Sequence, residues 1–128
     1  MRSSGGTDPL ALAAMLLWML VAVPADAADA ERGEALYEKH CKVCHSLIPE
    51  HHKEGPSLYG IFGSRAGSAQ FYGGYGALKG ADFVWDEATL DRWLANPRTF
   101  GRERTKMTLA IEDPDDRADI IAYLKSQE

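Results

Sequence analysis

HCKVCH, residues 40–45, contains both cysteines of this 128-residue chain. Cys41 and Cys44 are separated by two residues, and His45 follows directly. This pattern is the attachment signature of a c-type haem. Two thiols at this spacing add across the two vinyl groups of the porphyrin, and the next histidine becomes an axial ligand of the iron. The motif therefore predicts that Cys41 and Cys44 bind a haem covalently and that His45 coordinates its iron.

Three other interpretations of the cysteine pair stay open at this point. A structural zinc site needs four ligands, and a set drawn from Cys41, Cys44, His51 and His52 lacks the usual zinc-finger spacing. A redox-active dithiol of the thioredoxin type belongs beside a βαβ pattern, which this sequence lacks. A plain local disulfide would close so short a loop that it would constrain the unfolded chain little.

The first 27 residues differ from the rest of the chain. Arg2 is their only basic residue, residues 9–25 carry no charge, and Ala25-Asp26-Ala27 places a small residue on each side of a polar one. This arrangement is typical of a secretory signal peptide. The uncharged run is 17 residues long, whereas a membrane-spanning helix needs roughly 20. We expect a cleaved leader over residues 1–27 and a single mature domain over residues 28–128, exported to the bacterial periplasm.

Two alternatives to cleavage after residue 27 stay open. The leader would stay as a membrane anchor if it were not cut, and this is the only arrangement in which we expect contact with a membrane. Ala28-Asp29-Ala30 repeats the small-polar-small pattern and offers a later cleavage position.

Charge and length limit the function of the mature chain. The full sequence carries 14 lysine and arginine residues against 19 acidic residues, a net charge of −5. This balance argues against nucleic acid as a partner, because nucleic-acid binders present a basic face. A mature chain of about 100 residues buries only a thin core. We therefore expect a group that is not protein to complete that core.

Three segments have the caps and apolar spacing of helices: residues 29–40, 86–95 and 113–125. Residues 46–82 contain ten glycine and proline residues without a sustained period, which predicts a long loop with one short helical turn at residues 57–62. No segment alternates convincingly as a strand does. The predicted fold class is all-α, with three main helices, short helical turns and long loops wrapped round one haem.

An electron-carrying haem needs a second axial ligand, which is often methionine. Three of the four methionines lie in the predicted leader, so Met107 is the only methionine of the mature chain. It follows His45 by 62 residues, which is enough chain to reach the other face of the ring. His51 and His52 are the competing ligands, but they follow His45 too closely to pass round the ring easily. Met107 is therefore the predicted sixth ligand.

Four motifs along the chain fit one family. They are Gly33…Tyr37…Cys41-x-x-Cys44-His45, Gly55-Pro56-Ser57-Leu58, Thr105-Lys106-Met107 and Arg117-Ala118-Asp119-Ile120-Ile121-Ala122-Tyr123-Leu124-Lys125. With them, residues 30–125 resemble the class I c-type cytochromes, the small monohaem electron carriers of mitochondria and the bacterial periplasm. The resemblance implies the small cytochrome c fold, in which the first and last helices cross.

The resemblance also implies roles around the haem. Cys41 and Cys44 hold it through thioether bonds, His45 and Met107 are the axial ligands, and the carbonyl of Pro56 accepts the ring N–H of His45. The other residues that the family places at the haem are Arg65, Tyr75 and Trp85 near the propionates, Thr105 in the methionine motif, and Trp93 in the place of a tyrosine that commonly bonds the methionine sulfur.

A haem with both axial positions filled has no open site for a substrate. The expected function is therefore that of a periplasmic one-electron carrier, a monomer and not an enzyme. Its partners would dock transiently: a quinol-oxidising complex or a dehydrogenase as donor, and an oxidase or a photosynthetic centre as acceptor. The alternative is a haem enzyme, or a cytochrome that reacts with peroxide or small gases through a labile Met107 bond.

Overall fold

The computed structural model describes residue 5, residues 27–100 and residues 104–128. It has three α-helices, α1 (Ala30–His40), α2 (Glu87–Ala95) and α3 (Pro114–Lys125), and a short 3-10 helix at Pro97–Thr99. The described residues form no strand, only a single antiparallel bridge between Arg65 and Val84. The prediction of an all-α fold with three main helices is confirmed. Apart from residue 27, the predicted leader's apolar run and cleavage motif lie outside the described residues.

Each helix begins where an aspartate caps it. The carboxylate of Asp29 accepts hydrogen bonds from the first backbone N–H groups of α1, and Asp113 does the same for α3. Asp86 and Thr89 form a reciprocal capping box at the start of α2. Because these side chains satisfy N–H groups that have no partner inside a helix, they set the helix starts.

The prediction of a short helical turn at residues 57–62 is wrong. The segment instead forms consecutive turns, in which the N–H of Ile61 donates to the carbonyl of Leu58 and the N–H of Ser64 donates to the carbonyl of Ile61. Gly60 has a φ of 64°. This left-handed conformation, which glycine adopts without steric cost, interrupts a right-handed helix.

Helices α1 and α3 cross in direct contact at Gly33. A Cβ at Gly33 would lie 1.9 Å from the carbonyl oxygen of Asp119 and 2.9 Å from Cβ of Tyr123. Tyr37 lies one turn further along α1, and the centroid of its ring is 5.6 Å from the centroid of the Tyr123 ring. Ile120 is completely buried on the facing side of α3. The predicted crossing of the first and last helices is therefore present, and it depends on the missing side chain of Gly33.

A buried carboxylate fixes the same crossing from the outside. Asp119 is 6% exposed, and its two oxygens accept from the backbone N–H of Asp29 at 2.7 Å and from the guanidinium of Arg32 at 2.5 Å. Arg32 also pairs with Asp116. Charged groups are costly to bury unless they are paired, so this arrangement holds the start of α1 against α3.

The remaining core lies between α2, α3 and the loop segments at residues 63–66 and 83–85. Two backbone hydrogen bonds join Ser64 and Gly63 to Trp85, and a third joins Ala66 to Phe83. These hydrogen bonds bring Trp85 against Trp93 of α2, and the two rings form an aromatic cluster with Phe83 and Phe100. None of the helices formed by the described residues combines the length and apolar character that spanning a membrane requires.

Candidate functional site

A cavity of about 440 Å³ opens between the end of α1, helices α2 and α3, and loop residues within 54–78 and 105–109. Its floor is apolar, with side chains such as Leu90 and Leu94 from α2 and Ile120 and Leu124 from α3. Nine of the ten predicted site residues line it: Cys41, Cys44, His45, Pro56, Tyr75, Trp85, Trp93, Thr105 and Met107. An apolar cavity with a few convergent polar groups is typical of a cofactor site.

Arg65 is the predicted site residue that the structure places elsewhere. It is exposed and does not line the cavity. Its Nε donates to the carbonyl oxygen of Ala81 at 3.1 Å, and its backbone forms the bridge to Val84. The expected contact between Arg65 and a haem propionate remains a prediction.

The imidazole of His45 is held by its own loop. Its Nδ1 lies 2.7 Å from the carbonyl oxygen of Pro56. Because a carbonyl oxygen only accepts, Nδ1 carries the proton and Nε2 keeps an unshared electron pair. Burial lowers the pKa of His45, although the bond to Pro56 opposes that shift. The ring is therefore neutral at pH 7, the state in which histidine binds a metal.

The Met107 thioether also lines the cavity. Its Sδ accepts a hydrogen bond from Nε1 of Trp93 at 3.1 Å. Its backbone N–H donates to Oγ1 of Thr105, also at 3.1 Å. Trp93 is therefore the hydrogen-bond donor to this sulfur, and Thr105 fixes the backbone N–H of the same residue.

The two cysteines are free thiols at the end of α1. Cys41 is buried, and that burial, together with the nearby Cys44, raises its pKa to about 11. A thiol with so high a pKa stays protonated near pH 7, whereas a redox-active dithiol needs a readily formed thiolate. The structure therefore supports neither the disulfide nor the thioredoxin-like interpretation of the pair.

His51 and His52 do not line the cavity. Both ring nitrogens of His52 are engaged: Nδ1 accepts from the N–H of Ser57 at 2.9 Å, and Nε2 donates to the carbonyl of Gln70 at 2.7 Å. Within the described part of the chain, no three histidine, cysteine or acidic side chains group as a metal site. The zinc interpretation and the histidine alternative to Met107 therefore find no support.

Two aromatic residues present polar groups at the cavity wall. The hydroxyl oxygen of Tyr75 accepts from the N–H of Ala69 at 3.2 Å, which leaves its own proton to be donated. Trp85 is 4% exposed and lines the cavity, and its indole N–H only donates. Both groups are suited to an anionic acceptor inside the cavity.

Gly55 is a site residue for which the sequence predicted no individual role. A Cβ at this position would lie 2.2 Å from Cε1 of His45, so the bare backbone of Gly55 lies against the imidazole. Tyr72 was also missed: it lines the cavity, and its hydroxyl donates to the carbonyl of Glu54 at 2.7 Å. The signal for Gly55 was its position directly before Pro56, but the close approach appears only when the loop is folded.

The chemistry of these groups fits a covalently attached haem. Cys41 and Cys44 supply two free thiols to the cavity lining. His45 supplies a neutral nitrogen donor and Met107 a thioether, the donor pair found in cytochromes c. The apolar walls match the faces of a flat macrocycle.

Comparisons with known proteins agree with this chemistry. The family model described as cytochrome c matches residues 30–128. Cytochrome c2 of Rhodomicrobium vannielii is 36% identical over 115 residues, which cover 89% of this chain and 90% of that protein. Cytochrome c of Euglena viridis is 40% identical over 99 residues, 77% of this chain and 96% of the relative.

A solved structure shows the same fold. Cytochrome cH from Methylobacterium extorquens superposes with a TM-score of 0.69 at 39% identity, covering 77% of this chain and 99% of that one. The family match over residues 30–128 spans the three helices and the residues that line the cavity. The chain therefore belongs to the cytochrome c family, whose members are electron-transfer proteins rather than enzymes and carry covalently bound haem c.

Proposed function

We propose that Cys41 and Cys44 attach one haem c through thioether bonds and that His45 and Met107 are its axial ligands. The observation that carries this proposal is the convergence of these four side chains on one apolar cavity. They are the chain's only two cysteines, the histidine of the attachment motif and the only methionine beyond residue 19.

When bound, the haem supplies a one-electron iron couple. The carbonyl of Pro56 fixes the ring of His45, so that Nε2 remains available as the donor atom. Trp93 and Thr105 hold the sulfur and the backbone of Met107. If His45 and Met107 both bound the iron, no position on it would be left for a substrate. We therefore propose a one-electron carrier and not a peroxide-reactive or gas-reactive cytochrome.

The polar groups at the wall are proposed to bind the haem propionates. Tyr75 has a hydroxyl proton to donate, and the indole N–H of Trp85 is a second donor in the same cavity. Arg65 would join them through its terminal amino groups, since its Nε is engaged with Ala81. These donors would neutralise the carboxylates and hold the ring at a fixed depth.

The proposed location is the bacterial periplasm, after removal of residues 1–27. Among the residues that the structure describes, Asp29 is the first whose side chain has a structural role: it caps α1 while its backbone N–H donates to the buried Asp119. Cleavage after Ala27 keeps this residue. Cleavage after Ala30 would remove the cap and leave an oxygen of Asp119 unpaired, so the earlier position is favoured.

The proposed partners are redox proteins that dock briefly: a quinol-oxidising complex or a dehydrogenase as donor, and an oxidase or a photosynthetic centre as acceptor. Transient electron-transfer complexes have small interfaces, and a monomeric carrier with an exposed haem edge suits such encounters. Their association is expected to slow as salt screens the charges of the two proteins.

The optical spectrum of the purified protein tests the carrier proposal. The oxidised form is expected to show the weak far-red absorption band that reports a bond between methionine sulfur and ferric iron. The reduced form should not bind carbon monoxide at neutral pH, because both axial positions are taken. A missing band together with rapid carbon monoxide binding would overturn the carrier proposal in favour of a ligand-reactive haem protein.

An intact mass of the exported protein tests attachment and processing together. We expect a chain that begins at Ala28 and carries the added mass of one haem after denaturation. The double variant Cys41→Ala, Cys44→Ala, produced in the same strain, should lack that mass because no thiol remains to form a thioether. Haem that leaves the wild-type chain on denaturation would contradict covalent attachment, and a chain that begins at Glu31 would contradict the proposed cleavage position.

A further inference from the structure

The backbone of His45 is bonded to a side chain of the first helix. The hydroxyl of Tyr37 donates to the carbonyl oxygen of His45 at 3.1 Å. Because a carbonyl oxygen only accepts and a tyrosine hydroxyl keeps its proton at neutral pH, this hydrogen bond has one direction. Tyr37 does not line the cavity, so its hydroxyl acts on the site through the backbone of His45.

Tyr37 also spans the attachment motif from its first residue to its last. Its backbone carbonyl accepts from the N–H of Cys41 at 2.8 Å and from the N–H of Lys42 at 3.1 Å. Inside the motif, the carbonyl of Cys41 accepts from the N–H of Cys44 at 3.0 Å and from the N–H of His45 at 2.9 Å. The hydroxyl completes this set of hydrogen bonds, so both ends of the motif are tied to one residue.

The crossing of α1 and α3 holds Tyr37 in turn. Its side chain is buried, with 2% of the residue exposed, and its ring is tilted by 52° against the ring of Tyr123 on α3. Side chains packed in a protein core occupy a single low-energy rotamer. The hydroxyl of Tyr37 therefore has a fixed position from which to bond the His45 carbonyl.

His45 is consequently held from two separate parts of the molecule. Tyr37 holds its carbonyl from α1, and the carbonyl of Pro56 in the long loop holds Nδ1 of its ring at 2.7 Å. A side chain whose backbone and ring are both bonded has few rotamers open to it. Groups that fix a histidine in this way set its orientation toward a metal ion.

We infer that Tyr37 is a positioning residue for His45: its hydroxyl ties the backbone of this ligand to the crossing of α1 and α3 and so fixes the orientation of the imidazole at the haem iron. This inference rests on the proposed axial ligation by His45. It gives the helix crossing a role in the site, because the contact between the two helices then determines where the imidazole lies.

The test compares the holoproteins of the wild type, Tyr37→Phe and Tyr123→Phe. Tyr37→Phe keeps the aromatic ring and removes the hydroxyl. Tyr123→Phe removes the same atom from the facing ring but leaves the bond to His45 in place, and neither tyrosine lines the cavity. The measurements are the iron-shifted NMR signals of the His45 ring protons in the oxidised protein and the hydrogen exchange of the Cys44 and His45 amides.

Tyr37→Phe is expected to move the ring-proton signals of His45, because their shifts depend on the orientation of the imidazole at ferric iron. Its Cys44 and His45 amides should exchange about fivefold faster than in the wild type, the size expected for one lost hydrogen bond. The amide of Ile121 in α3 is the reference, since a change that it shares reports global stability. Tyr123→Phe should keep the His45 signals of the wild type.

Three results would overturn the inference. If Tyr37→Phe keeps the His45 ring signals of the wild type, the positioning role of Tyr37 is refuted while ligation by His45 stands, whatever the amides show. If Tyr123→Phe moves those signals as far as Tyr37→Phe does, the packing of the two rings and not the bond to His45 sets the orientation. If the iron does not shift the His45 ring signals of the wild type, ligation by His45 is itself refuted, and the inference falls with it.

Discussion

Gly33→Ala is expected to lower the free energy of unfolding by about 3 kcal/mol. The added methyl group would lie 1.9 Å from a backbone oxygen of α3, whereas side-chain Cβ atoms essentially never come within 3.0 Å of such an atom. The helices would have to separate by about 1 Å, which would loosen the contact of Tyr37 with Tyr123. Alanine is the better helix former by about 1 kcal/mol, but that gain is smaller than the cost of moving two packed backbones.

The measurement is urea unfolding of the oxidised holoprotein, followed by haem absorbance. Gly73→Ala is the matched control, because a Cβ at Gly73 meets no atom within 4 Å. That variant should unfold within about 0.5 kcal/mol of the wild type. A Gly33→Ala protein as stable as the control would mean that α1 and α3 do not approach one another as described.

The helices could be predicted because their signals are local. An aspartate directly before each apolar repeat marks a helix start, and Asp29, Asp86 and Asp113 are all found as caps. The observed helices begin one residue after these caps, as the predicted segments imply. Capping and apolar spacing depend on residues within one or two turns, so a single sequence contains the information.

The path of the long loop could not be predicted in this way. The turn expected at residues 57–62 fails because Gly60 takes a positive φ, and a glycine permits that conformation without requiring it. The loop is held instead by distant partners, such as the bond from the N–H of Gly60 to the carbonyl of Gln127 at 2.8 Å. Pairings of this separation leave no periodic pattern in the sequence.

The site also contains features that follow from local sequence motifs and features that depend on contacts between distant segments. The attachment motif and the lone methionine predicted residues that the fold does bring into one cavity. The contact of Gly55 with the ring of His45 and the engagement of both nitrogens of His52 depend on how the loop returns to α1. Arg65 lies outside the cavity lining because its partners, Ala81 and Val84, are also distant in sequence.

Met107→Ala is expected to have the largest effect on function. Without the thioether, the second axial position loses its proposed protein ligand, and Trp93 loses the acceptor of its N–H. Because the methionine ligand raises the potential of a c-type haem, the reduction potential should fall by on the order of 100 mV. The far-red band should disappear, and the reduced protein should bind carbon monoxide.

Leu109→Ala provides the control for this experiment. Leu109 lies two residues further along the same loop and lines the same cavity, so its truncation removes apolar bulk without removing a ligand atom. It should keep the far-red band and remain unreactive to carbon monoxide. If both variants bind carbon monoxide equally well, access to the cavity and not ligation by Met107 protects the iron. If Met107→Ala keeps the band and the wild-type potential, Met107 is not the sixth ligand, because the band reports a bond to methionine sulfur and Met107 is the only methionine beyond residue 19.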